Sequence, residues 1–152
     1  MKLAILGPGR IADIVTNALV ATPEIECYAV ASRNLAKAEA FAKKYGFEKA
    51  YGSYDELLAD PDVELVYVAT PHSHHFEHMM LCMAHGKAVL CEKAFTMNAK
   101  QAKQVMEYAK AHGIFAAEAI WPRYMPSRKI IDDVIASGIG SEISLAGLKA
   151  GD

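Results

Sequence analysis

The chain has 152 residues, 53% apolar and 22% charged, and its 16 basic and 18 acidic side chains leave a formal charge of −2. That describes a globular chain long enough for one domain with a substantial core, and it excludes a nucleic-acid binder held by bulk charge. Three cysteines (Cys27, Cys82 and Cys91) are odd in number and lack CxxC spacing, so buried, free thiols in a reducing, cytoplasmic setting are expected, not a disulfide scaffold. No apolar run approaches the roughly 20 residues that span a bilayer, and Lys2–Leu6 is too short for a signal-peptide core.

In chain order, short β-like runs alternate with helical periods, the pattern of βαβ units and a doubly wound parallel sheet. Strand Lys2–Leu6 meets Gly7-Pro8-Gly9, after which Ile11, Ala12, Val15 and Leu19 recur at helical spacing. A strand near Glu26–Ala31 precedes a helix carrying Ala38, Phe41, Ala42 and Tyr45, closed at Gly46. Ala50-Tyr51 reads as a short third strand, and Ser53 with Glu56 as the cap of a short helix ending near Asp60-Pro61. Leu65–Ala69 is a fully buried strand ended by Thr70-Pro71. The next helix places Phe76, Met79, Met80 and Met83 on one face and stops at Gly86, and Ala88–Cys91 follows as a buried strand. Asn98 and Gln101 form a capping box for a helix with the stripe Ala102, Val105, Met106 and Ala109, closed by Gly113. Ile114–Ala117 is the sixth strand. Pro122 to Pro126 is irregular, Ile130, Ile131, Val134 and Ile135 mark a last helix, and Glu142–Leu148 begins a further strand. Residues 1–120 therefore read as one complete domain and 121–152 as the start of another. The final strand, alone, has an unpaired edge and is expected to be disordered or to pair with a second copy in a homo-oligomer.

Gly7-Pro8-Gly9-Arg10-Ile11-Ala12 fits GxGxxA between a strand and a helix. The first glycine allows the tight turn, the second lets a pyrophosphate approach the backbone, and the small third residue lets helix pack close to strand. The strand–turn–helix context favours a dinucleotide over a plain structural turn, and the lack of GK[ST] excludes a P-loop. An NAD site carries an acidic residue at the end of the second strand. Here that strand ends Ala31-Ser32-Arg33-Asn34, with Lys37 one turn on and no carboxylate at the tip. A hydroxyl and a guanidinium suit a 2′-phosphate, so NADP is expected over NAD; the plain alternative is a solvated arginine. Lys93, at the carboxyl end of a parallel strand, faces the crevice where ligands bind in open α/β sheets and is a candidate proton relay; the alternative is a surface lysine.

Three further segments carry a resemblance: Ala69-Thr70-Pro71-His72-Ser73-His74-His75-Phe76-Glu77, Gly86-Lys87-Ala88-Val89-Leu90-Cys91-Glu92-Lys93-Ala94 and Glu118-Ala119-Ile120-Trp121-Pro122-Arg123-Tyr124. Together they resemble the nucleotide-binding half of the glucose–fructose oxidoreductase / inositol dehydrogenase (Gfo/Idh/MocA) family, nearest its branch of dihydrodiol and sugar dehydrogenases. The resemblance covers essentially the whole chain. It implies a Rossmann domain followed by a second domain built on a mostly antiparallel sheet, with substrate between them. It also implies that Thr70, Pro71 and His72 line the cofactor, that Glu92 and Lys93 sit at the nicotinamide and substrate hydroxyl, and that Trp121 and Arg123 close over the cofactor. The family's proline after the lysine, often preceded by a cis bond, is Ala94 here, which leaves the Lys93–Ala94 bond open between cis and trans.

His72 and His75 are expected to serve the cofactor crevice. His74 and His78, at i and i+4, invite a metal reading, but zinc needs three or four converging ligands and no HExxH is present; no metal is expected. The expected function is NADP-dependent hydride transfer at a sugar or cyclic diol hydroxyl carbon, with this chain as the nucleotide-binding part and inactive alone. The alternative is a non-catalytic dinucleotide-binding or sensing module; a Rossmann-type methyltransferase or epimerase is disfavoured by the Glu92-Lys93 pair.

Overall fold

A computed structural model describes residues 1–138. The strands are β1 (Lys2–Leu6), β2 (Glu26–Ala31), β3 (Lys49–Tyr51), β4 (Leu65–Val68), β5 (Ala88–Cys91) and β6 (Ala116–Glu118), and the helices are α1 (Arg10–Leu19), α2 (Leu35–Tyr45), α3 (Tyr54–Ala59), α4 (His75–Ala84), α5 (Ala99–His112) and α6 (Ser127–Ala136). The strands form one sheet in the order β3-β2-β1-β4-β5-β6, every pair parallel. That is the doubly wound order, with its reversal between β1 and β4.

The inner strands β1, β2 and β4 are buried on both faces, so alternate residues feed two cores. Leu3 and Ile5 of β1 pack with Ala12 of α1 and with Ala38, Phe41 and Ala42 of α2. Ala4 and Leu6 face the other way, onto Leu57 and Leu58 of α3, Met79, Cys82 and Met83 of α4, and Val105 and Ala109 of α5. Gly46 and Gly113 end α2 and α5 in left-handed conformations. Ser53 Oγ accepts from Glu56 N at 3.1 Å and Asn98 Oδ1 from Gln101 N at 3.0 Å, so both caps form as expected. The reciprocal bond at α5 falls one residue early: Gln101 Oε1 accepts from Met97 N at 3.1 Å.

Several expectations need correction. The sixth strand is Ala116–Glu118, not Ile114–Ala117. Ile114 N is spent on Ala109 O in closing α5, so pairing with β5 begins later. The apolar spacing also overstates burial: Met106 of α5 is 51% exposed, and Ile130, Ile131, Val134 and Ile135 of α6 are all exposed. In α4 the buried side chains are His75, Met79, Cys82 and Met83, while Phe76 and Met80 are only half-buried. Cys82 and Cys91 are buried but Cys27 is only partly so. The irregular segment at Pro122 contains a 3-10 turn, Trp121–Tyr124.

Residues 1–119 form one compact unit, and a second unit begins at Ile120. The strand expected at Glu142–Leu148 lies outside the described residues. Among the described residues no helix is long and apolar enough to cross a membrane.

Candidate cofactor site

At the carboxyl end of β1 the chain turns through Gly7, whose φ is +88°, a value L side chains adopt at a steric cost. Its amide donates to Ala31 O at 3.0 Å, tying the turn to β2. A Cβ on Gly7 would lie 3.0 Å from Thr70 Cγ2 and 3.2 Å from Ala69 O, so the turn is wedged against the end of β4. Gly9 differs. A Cβ there would meet nothing within 4 Å, so no protein neighbour demands the glycine; the space above it is open. Gly9 is also the N-cap of α1 and offers no side-chain cap, which leaves the first-turn N–H groups and the positive helix end available to an anion. Ala12, one turn in, is fully buried between helix and sheet, the close packing its position calls for.

One cleft of about 240 Å³ joins Gly7, Pro8 and Gly9 to Ser32, Arg33 and Lys37 and, across the switch point, to Ala69, Thr70 and Pro71. The structure therefore gathers half of the expected cofactor-binding residues, from three separate turns. Ser32 Oγ accepts from Asn34 N at 3.2 Å, which fixes the turn, and Asn34 in turn caps α2 by accepting from Lys37 N. Arg33 and Lys37 are exposed, and among the described residues neither is paired with a carboxylate.

Sequence reasoning missed Tyr54 as a lining residue and the place of His78 behind it. Tyr54 opens α3 and lines the same cleft, and its ring meets His78 edge-on at 4.9 Å. Burial raises the Tyr54 phenol pKa, with Arg33 acting against it. His78 Nδ1 lies 2.8 Å from Thr70 Oγ1. Burial, then repulsion from His74 and Arg33, lowers its pKa. No local signal marks Tyr54, which reaches the cleft from a helix distant in sequence from the glycine turn; His78 stands behind the lining, against Tyr54 and Thr70.

The turn after β5 is held from several elements. Glu92 is buried; Tyr67 Oη donates to its Oε1, and Lys93 N donates to its Oε2 at 3.1 Å. Burial first, and then the Glu92 carboxylate, push the Tyr67 phenol pKa far up. Phe95 N donates to Glu118 Oε1 of β6 at 2.8 Å. The His75 ring lies 2.8 Å from both Ala94 O and Thr70 O, and the Lys93–Ala94 peptide bond is cis. Lys93 itself is exposed at the carboxyl end of β5.

This arrangement corrects the role expected of His75. Its side chain is fully buried and both ring nitrogens face backbone carbonyls, so it ties two turns together and does not present itself to the crevice. Glu92 likewise has both oxygens engaged within the protein. His72 is exposed, with its ring 5.3 Å from that of His75. Arg10 is exposed and Ile11 half-buried at the start of α1. Trp121 and Arg123 belong to the second unit, both exposed on its 3-10 turn. Among the described residues no three metal-ligating side chains converge. Burial pushes the Cys82 thiol up to about 12 and the Cys91 thiol up as well, so neither is a nucleophile near neutrality.

A parallel sheet of this order, with a glycine turn at its switch point and unspent cations beyond the neighbouring strand, defines a dinucleotide-binding protein of Rossmann type. Residues 1–118 match the model of the Gfo/Idh/MocA family, an oxidoreductase family with an NAD-binding Rossmann fold, and the chain belongs to that family. It is 40% identical over 148 residues to a trans-1,2-dihydrobenzene-1,2-diol dehydrogenase of Mus musculus, covering 96% of this chain and 44% of that one. It is 47% identical over 150 residues to a D-xylose 1-dehydrogenase (NADP(+)) of Hypocrea jecorina, covering 91% and 38%. The structure of a 3-ketoreductase from Actinomadura kijaniata, in complex with TDP-benzene and NADP, superposes with a TM-score of 0.84 at 29% identity, over 91% of this chain and 44% of that one. The chain thus spans less than half the length of these relatives.

Proposed function

We propose that this chain is the nucleotide-binding part of an NADP-dependent oxidoreductase that transfers hydride to or from a carbon bearing a sugar or cyclic diol hydroxyl. The observation that carries the reading is the cleft joining the open Gly9 and the uncapped start of α1 to Ser32, Arg33 and Lys37. A dinucleotide bearing a 2′-phosphate fits those donors. The amides at the start of α1 receive the pyrophosphate, and the Arg33 fork with Lys37 and the Ser32 hydroxyl receives the 2′-phosphate. The NADP-linked name of the Hypocrea jecorina relative and the NADP-bound 3-ketoreductase support the same cofactor.

When bound, the nicotinamide supplies or accepts the hydride; the protein positions the substrate and moves the proton. Lys93 Nζ, at the mouth of β5, is the proton-handling group, and Thr70, Pro71 and His72 border the cofactor across the switch point. On the family resemblance, residues 1–120 are the nucleotide-binding domain, and 121–152 begin the substrate domain. The free thiols fit a cytoplasmic enzyme.

The test is calorimetric titration of the chain with NADPH and NADH. NADPH is expected to bind at least tenfold more tightly. Arg33→Ala should weaken NADPH by about 10- to 100-fold, the range for one charge-assisted fork, and NADH by less than about threefold. Equal affinity for the two cofactors in the unaltered chain overturns the NADP assignment.

A further inference from the structure

His75 stands where α4 begins, fully buried, with its two ring nitrogens directed at two backbone oxygens. Nδ1 is 2.8 Å from Ala94 O and Nε2 is 2.8 Å from Thr70 O. A carbonyl oxygen only accepts, whereas a neutral imidazole carries a proton on one nitrogen and a lone pair on the other. In a neutral ring one of these contacts would therefore oppose two lone pairs, at a separation that is favourable only for an N–H···O bond. The ring and Thr70 are buried, so no water substitutes for a missing donor on that side. Only the doubly protonated ring satisfies both carbonyls.

We propose that His75 is a buried imidazolium donating to both carbonyls, and that it is the positioning residue pinning the turn after β4 to the turn after β5. The oxygens it holds belong to Thr70, which walls the cleft against Gly7, and to Ala94, the neighbour of Lys93. Around the ring, the His72 imidazole stands 5.3 Å away, and His78 lies one turn further along the same helix. The α4 N-terminus also opposes a cation. On the β5 side, the buried Glu92 and then Lys93 precede Ala94 in the chain, and Glu118 holds the next amide. Among the described residues no carboxylate forms an ion pair with His75. The two carbonyl dipoles are therefore its direct stabilisers, each through a charge-assisted hydrogen bond. The predicted consequence for binding rests on the dinucleotide reading above; the protonation state does not.

Nitrogen-15 NMR of the chain, labelled in its histidine rings, tests the protonation state without any ligand. The His75 signals are assigned by their disappearance in His75→Gln. Both nitrogens are expected at the protonated shift at pH 7; an unprotonated ring nitrogen at pH 7 overturns the imidazolium. For the positioning role, His75→Phe fills the space but donates nothing, and it should weaken NADPH binding about tenfold, the worth of one charge-assisted bond. His75→Gln carries two amide hydrogens and should restore affinity to within about threefold of the unaltered chain. Unchanged binding in His75→Phe, or no rescue by glutamine, overturns the positioning role. Failure of the unaltered chain to bind NADPH overturns the cofactor reading and the positioning role that rests on it, while the ring shifts still decide the imidazolium.

Discussion

At the edge of the sheet where β3, β4 and β5 begin, the Asp60 carboxylate is saturated with donors, while at the opposite edge Arg33 and Lys37 stand without an acid partner among the described residues. Lys49 Nζ, Tyr51 Oη and Tyr28 Oη reach Asp60 Oδ2 at 2.8, 2.7 and 3.1 Å, and Asp62 N reaches Oδ1 at 3.0 Å. Lys87, itself buried, donates to the carbonyls of Asp60 and Val63. Burial acts to raise the Asp60 pKa, but the bonds from Lys49, Tyr51, the Asp62 amide and Tyr28 outweigh it and hold it well below the usual carboxylate range. Burial and Asp60 together push the Tyr51 phenol up to about 12. Charge at that end is neutralised inside the protein and serves stability. At the other end it is left unspent, together with the amides of an uncapped helix, and serves a ligand. One sheet thus separates its structural polar network from its binding polar network by the length of its strands.

The sharpest way to break that division is Asp60→Ala. It should cost about 3 kcal/mol in urea denaturation, by removing a buried acceptor of several hydrogen bonds, while NADPH affinity of the folded chain changes by less than about threefold. A comparable loss of affinity would show that the two ends are coupled. Gly7→Val attacks the other end. With φ at +88° and a Cβ only 3.0 Å from Thr70 Cγ2, it should weaken NADPH binding by about 100-fold or more, as expected for a backbone forced off its site. Tyr67→Phe tests the tie beneath Lys93. Leaving Glu92 Oε1 without its phenol donor should cost about 1–2 kcal/mol of stability, with NADPH affinity falling more than in Asp60→Ala.

Acid titration separates the ends most gently. Asp60 has a folded pKa below its unfolded value near 3.9. Its contribution is therefore fully present above about pH 4–5 and is lost as pH falls through the folded value. The unaltered chain should lose stability more steeply below about pH 4 than Asp60→Ala does; parallel curves would remove Asp60 as the source.

Much of the binding edge was legible in the sequence because its signals are local. The GxGxxA run, the missing carboxylate after β2 and the Ser53 cap each involve residues within a turn of one another. The tie made by His75 was not, and neither was the Tyr67–Glu92 bond: both close across the β4–α4–β5 unit, between residues 19 and 25 positions apart. His75 illustrates the misreading well, since a histidine beside Thr70-Pro71 has the same local pattern whether its ring enters the cleft or the core. The α6 stripe shows the converse limit, for apolar spacing marks a helix without saying whether its face is covered in these residues.

The sequence by itself determined the alternation of strand and helix, the phosphate turn and the absence of an acid beyond β2, since periodicity, glycine placement and residue type act over a few positions. Only the tertiary structure decided where β6 begins, that Tyr54 borders the cleft with His78 behind it, that His75 is a buried strap and that Asp60 gathers its donors. Those outcomes depend on which side chains meet across the sheet, and such meetings are set by packing and dry hydrogen bonding between elements rather than by the preferences of any one segment.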